Sequence, residues 1–124
     1  MARIVVIDDE DLILEALTTI LTQSGHQVRT ANNGKAGLAA IRAERPDVVI
    51  TDIIMPEMEG IETIRGIRAL VPDMPIVAMS GGGRIAAVDL LAMASELGAR
   101  VVLAKPFGRE QLLAAIEACL APRQ

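Results

Sequence analysis

A chain of 124 residues with 52% apolar side chains is sized for one domain around a single core. Its net charge of -4, with lysines and arginines scattered along the chain, argues against direct nucleic-acid binding, whose usual footprint is a clustered basic stripe. A single cysteine excludes an internal disulfide and a cysteine-rich metal site, and one Phe with no Trp or Tyr leaves the packing to Leu, Ile, Val, Met and Ala.

Arg3 opens a strand at once, so no signal peptide is expected, and no apolar run approaches the ~18 residues of a membrane span. The expectation is a cytoplasmic protein with no membrane contact. Arg3 to Ile7 is rich in Ile and Val and ends abruptly in Asp8-Asp9-Glu10-Asp11. Leu14, Leu17 and Leu21 then recur at helical spacing to about Gln23, and Gly25 stands where a C-cap glycine belongs. Gln27 to Ala31 reads as a short second strand, Asn32-Asn33-Gly34 as a turn, and Lys35 to about Glu44 as a helix that stops before Pro46.

From Val48 the chain is apolar and β-branched, the signature of a strand buried on both faces; Asp52 sits toward its end and Pro56 forbids its continuation. A third helix follows Gly60 to about Leu70, and Pro72 and Pro75 bracket the turn into a strand from Ile76 to Met79. Ser80-Gly81-Gly82-Gly83 comes next, then a helix from about Ile85 to Leu97 closed by Gly98. A strand from Val101 to Leu103 and a helix from Gly108 to about Leu120 complete the chain.

This alternation predicts an α/β fold, a doubly wound parallel sheet with helices on both faces and right-handed crossovers. Asp8 and Asp9, Asp52, Ser80 and Lys105 then fall just past the first, third, fourth and fifth strands, at the carboxyl edge where open α/β sheets bind ligands. Alone, Asp52 would as readily cap a loop and Asp8 to Asp11 would simply open a helix. Their joint convergence points to a site.

Carboxylates meeting in one crevice repel, at roughly 4 kcal/mol per close pair for a separation of about 4 Å and an effective dielectric near 20. A helix N-terminus offsets only about 0.3 to 1 kcal/mol of this, so a cation must share the site. Lys105 supplies one charge, and an oxygen set of Asp8, Asp9, Asp52 and a backbone carbonyl suits Mg²⁺. The absence of nearby His or Cys argues against zinc. Metal, lysine, hydroxyl and a spare carboxylate make a phosphoryl-transfer set, with Asp52 as the nucleophile that becomes an acyl phosphate.

Asp8-Asp9, Asp52 with Met55-Pro56 and Gly60, Ser80, Gly98-Ala99 and Lys105-Pro106-Phe107 together resemble the receiver domain of two-component response regulators. The resemblance covers the whole chain, 1–124, as one domain. It implies a flavodoxin-like (βα)5 fold with strand order 2-1-3-4-5 and phosphorelay signalling in which Asp52 accepts the phosphoryl group of a phosphohistidine. The donor would be a sensor histidine kinase or a histidine phosphotransfer protein. Mg²⁺ would be held by Asp9, Asp52 and the Ile54 carbonyl, with Asp8 acting mainly through water. Lys105 would contact the phosphoryl group, Ser80 would swing toward it in the active state, and the bond before Pro106 would be cis. Such a protein is no turnover enzyme: it phosphorylates itself and loses the phosphate slowly, since apolar Ile54 and Gly82 offer little help to an attacking water.

The chain departs from the resemblance in two places. An aromatic switch residue often stands three positions before the lysine, where this chain has Val102, and Phe107 after the lysine-proline pair reads as core. The segment from Ser80 to Lys105 is a few residues longer than is usual for the family, and its triple glycine reads either as a flexible turn or as a mobile loop that replaces the aromatic switch. Between Ile85 and Leu97 only Asp89 and Glu96 are charged, so the fourth helix carries surplus apolar surface. That surface, with the fifth helix, is expected to dock a downstream protein target or a second copy as a homodimer, or else to be half covered by loops. His26 reads as a surface residue and Cys119 as buried packing.

A stand-alone receiver is the leading reading. The alternatives are a receiver cut from a longer DNA-binding response regulator, a small phosphatase using an aspartyl-phosphate intermediate, and a degenerate scaffold. The phosphatase is disfavoured because dehalogenase-type enzymes place a second aspartate where Ile54 stands, and the scaffold because the acidic set is intact.

Overall fold

The computed structural model describes residues 1–53, 60–81, 92, 95–96 and 98–121. Among them, β1 (Arg3–Ile7), β2 (Gln27–Ala31), β3 (Val48–Asp52), β4 (Ile76–Gly81) and β5 (Val101–Lys105) form one parallel sheet in the order β2-β1-β3-β4-β5. The helices α1 (Asp11–Gln23), α2 (Gly34–Ala43), α3 (Gly60–Leu70) and α4 (Arg109–Leu120) follow their strands in the sequence. This is the doubly wound, flavodoxin-like fold expected, with the central strand where the apolar run placed it.

Period-two alternation along the inner strands builds two cores. Val5, Ile7, Val49, Ile76 and Ala78 face Ile41 of α2 and Ile61, Ile64 and Ile67 of α3. Ile4, Val6, Val48, Ile50, Val77 and Met79 face Leu14, Leu17 and Leu21 of α1 and Leu112, Ala115, Ile116 and Cys119 of α4. Burial of β3 on both faces explains why polar residues are missing from it until Thr51. The Cys119 thiol is buried as expected.

Helix boundaries follow local chemistry. Asn33 caps α2 by accepting from the Ala36 N–H at 2.8 Å, and the Gln111 side chain of α4 reaches back to accept from the Gly108 N–H at 2.8 Å. Gly25 and Gly98 adopt φ of +89° and +94°, the left-handed turns that end helical segments. Gly60 begins α3 so close to β3 that an added Cβ would lie 1.9 Å from Ile53 Cα.

Three expectations need correction. β4 continues beyond Met79 through Ser80 and Gly81, and β5 beyond Leu103 through Lys105, because the parallel ladder pairs Ser80 with Ala104 and Gly81 with Lys105. Ser80 and Lys105 therefore stand inside the sheet's last rungs and not past them. His26 is half-buried, its Nδ1 accepting from the Ala2 N–H at 3.0 Å as the chain start folds across the amino edge of β1 and β2. Phe107 is only half-buried, against the α1 and α4 core. In the segment expected as a helix from Ile85 to Leu97, Ala92, Ser95 and Glu96 are helical. Its other residues, its apolar surface, Met55-Pro56 and Gly82-Gly83 lie outside the described residues.

Candidate functional site

The carboxyl edge of the sheet gathers the polar residues. Asp8 follows β1 and is fully buried, its N–H donating to the Ala31 carbonyl at 3.1 Å. Its Oδ1 accepts from the Glu10 N–H at 2.9 Å, which ties the acidic corner to the start of α1. Asp52, 3% exposed, is the last residue of β3, between β1 and β4. Lys105 ends β5, and its peptide bond to Pro106 is cis.

Lys105 joins these groups. Its Nζ lies 2.7 Å from Asp8 Oδ2, 3.4 Å from Asp52 Oδ2 and 3.8 Å from Glu10 Oε1. Burial alone would push the ammonium's pKa down, but the hydrogen bond to Asp8 and the charges of Asp52, Asp8 and Glu10 outweigh it and raise the pKa above 10.5. The lysine therefore stays charged through the physiological range. The closest pair is Lys105 with Asp8, whereas the sequence reading assigns Lys105 to the phosphoryl group and Asp8 to water-mediated metal contact.

Ser80 is fully buried, and its Oγ has no hydrogen-bond partner among the described residues. A buried hydroxyl without a partner costs free energy, and such a group at a site of convergent charge is a donor in waiting. Asp9 and Glu10 are exposed, and oxygen atoms of Asp8, Asp9 and Glu10 lie within 4.8 Å of one another. An all-carboxylate set of this kind fits a hard divalent cation. Ile54, the expected carbonyl ligand, lies outside the described residues. Val102, in the position of the missing aromatic, is half-buried against the α2 and α3 core.

Glu10 is the residue that sequence reasoning missed. It was legible only as one more acid in the corner. Which way its carboxylate turns depends on where α1 begins, and that start is set by the Asp8 contact with its backbone.

Comparison with known proteins gives one answer. Residues 4–117 match the family described as response regulator receiver domain. The response regulator MprA of Mycolicibacterium vanbaalenii is 35% identical over 122 residues, which is 95% of this chain and 50% of that protein. MprA of Mycobacterium leprae is 34% identical with the same coverage, so the chain spans about half the length of the curated relatives it matches. A response regulator receiver domain protein from Clostridium thermocellum superposes with a TM-score of 0.89 at 34% identity, over 97% of this chain and 94% of that one. The receiver domain of NtrX from Brucella abortus gives 0.87 at 32% identity, over 94% and 97% of the two chains. With these matches and the strand order β2-β1-β3-β4-β5, the chain belongs to the response regulator receiver domains.

Proposed function

We propose that this receiver accepts a phosphoryl group on Asp52 from a phosphohistidine on a sensor histidine kinase or a histidine phosphotransfer protein, and so switches a surface that binds a downstream protein. The observation behind this reading is the shared ammonium, with Lys105 Nζ 2.7 Å from Asp8 Oδ2 and 3.4 Å from Asp52 Oδ2 at one sheet edge. In the transfer, an Asp52 oxygen forms a bond to phosphorus while the bond from phosphorus to the imidazole nitrogen breaks, its electron pair staying on that nitrogen. The product is an acyl phosphate on Asp52. Lys105 neutralises charge on the phosphoryl oxygens, and the Ser80 hydroxyl donates to one of them in the modified state.

Mg²⁺ is the cofactor this reading requires: Asp9 and Asp52 with the Ile54 carbonyl would hold it, Asp8 mainly through water, and when bound it would neutralise charge on the oxygens of the transferred group. The protein is not a turnover enzyme: it modifies itself and loses the phosphate slowly. Its place is the cytoplasm, and among the described residues no helix is long and apolar enough to cross a membrane.

The test is intact mass after incubation with Mg²⁺ and either acetyl phosphate or phosphoramidate. One added phosphoryl group, absent in Asp52→Ala and absent without Mg²⁺, is the expected result. Addition that survives Asp52→Ala would place the chemistry elsewhere. A second reading, that this receiver governs an output module in a longer, DNA-binding regulator, draws on the curated relatives, of which the chain covers 50%. The length of the natural gene decides between them.

A further inference from the structure

We infer that Glu10 selects among phosphodonors, its charge holding back small free anions and favouring donors that bring a cation of their own. The inference deepens the phosphoacceptor reading and rests on it. Three acids pair with Lys105, but their exposure differs: the Asp8 and Asp52 side chains are 0% and 5% exposed, whereas that of Glu10 is 63% exposed. Glu10 therefore stands at the mouth of the site while the other two form its floor. Its position is fixed from below, because its N–H donates to Asp8 Oδ1 at 2.9 Å and α1 begins at the next residue.

Beside Glu10 runs a groove of about 450 Å³ lined by Ile13, Leu17, Lys105, Pro106 and Phe107, so the carboxylate sits between an apolar trough and the buried acids. A free dianion approaching Asp52 meets this charge, which Lys105 Nζ at 3.8 Å offsets only in part because the ammonium is shared with Asp8 and Asp52. The field of an exposed carboxylate reaches over roughly a Debye length, about 8 Å at physiological ionic strength, which covers the approach. A phosphoryl group carried on a protein can arrive with a cationic side chain facing Glu10, and the same charge then attracts.

The test compares phosphorylation rates by intact mass for the wild type, Glu10→Gln and Glu10→Lys, each with Mg²⁺ titrated to saturation. The donors are acetyl phosphate, a dianion at neutral pH, and phosphoramidate, which carries less charge. Glu10→Gln should speed acetyl phosphate about three- to tenfold and Glu10→Lys more, with phosphoramidate changing less, as expected of electrostatic steering. The difference should shrink as salt rises from about 0.02 to 0.5 M. A packing role would change both donors equally and ignore salt. A donor ratio unchanged in both variants, in a wild type that is itself phosphorylated, overturns the inference alone; a wild type that takes no phosphate overturns the reading beneath it.

Discussion

At the amino edge of the sheet, polar groups meet partners: the Ala2 N–H donates to His26 Nδ1, the Arg3 N–H to Asp47 Oδ2, and the Arg68 guanidinium to the carbonyls of Pro72, Met74 and Gly98. At the carboxyl edge, three acids share one lysine and the Ser80 hydroxyl has no partner among the described residues. The same five strands run between the two edges, so the difference lies in the corner residues alone. Hydrogen bonds satisfied within the chain stabilise the fold, while charges left in excess and a hydroxyl left over store capacity for a ligand. Substitutions at the two edges should separate stability from phosphoryl chemistry.

The largest expected effect is at Asp52. Asp52→Asn should abolish phosphoryl incorporation and yet raise stability without divalent cations by about 1 kcal/mol, because it relieves repulsion among the acids. Urea titration in a chelator beside intact mass checks both halves. Lys105→Ala should cross the divide, slowing incorporation at least about tenfold and costing about 3 kcal/mol, since it leaves Asp8 buried without its cation. Gly60→Ala should cost about 2 kcal/mol by pushing the start of α3 off Ile53, read as a lower urea midpoint with an unchanged slope.

Arg68→Ala sharpens the comparison from the other edge. It removes the link between the turn before β4 and Gly98, and should cost about 2 kcal/mol while leaving the phosphorylation rate as it was. The smallest effect concerns Cys119, whose thiol is raised above 9.0 by burial, only partly offset by Arg100. Between the unfolded value and the higher native one, the native state holds more protons than the unfolded chain, so stability falls as pH rises. The thiol's contribution is thus complete below pH 9.0 and is lost above it, and alkylation of the native protein at neutral pH should be slow.

The strands were legible because β-branched runs such as Val48–Ile50 resist other readings, and the helices because Leu14, Leu17 and Leu21 keep helical spacing. The ends of β4 and β5 were not. Ser80-Gly81 and Ala104-Lys105 carry no strong strand preference, and their pairing is imposed by the neighbouring ladder. Asp8, Asp52 and Lys105 could be placed together from topology, since each ends or follows a strand. That Lys105 lies nearer Asp8 than Asp52, that Glu10 turns toward it, and that His26 accepts from Ala2 all depend on side-chain placement in three dimensions, which periodicity does not encode.

The most direct test of the central claim is to trap the acyl phosphate with borohydride after incubation with acetyl phosphate and Mg²⁺, then map the modified peptide by mass. Reduction should convert Asp52, and no other acid, to homoserine. Conversion of Asp8 or Asp9 in its place, or a stable phosphoryl adduct that borohydride leaves untouched, would contradict the assignment of Asp52 as the phosphoacceptor.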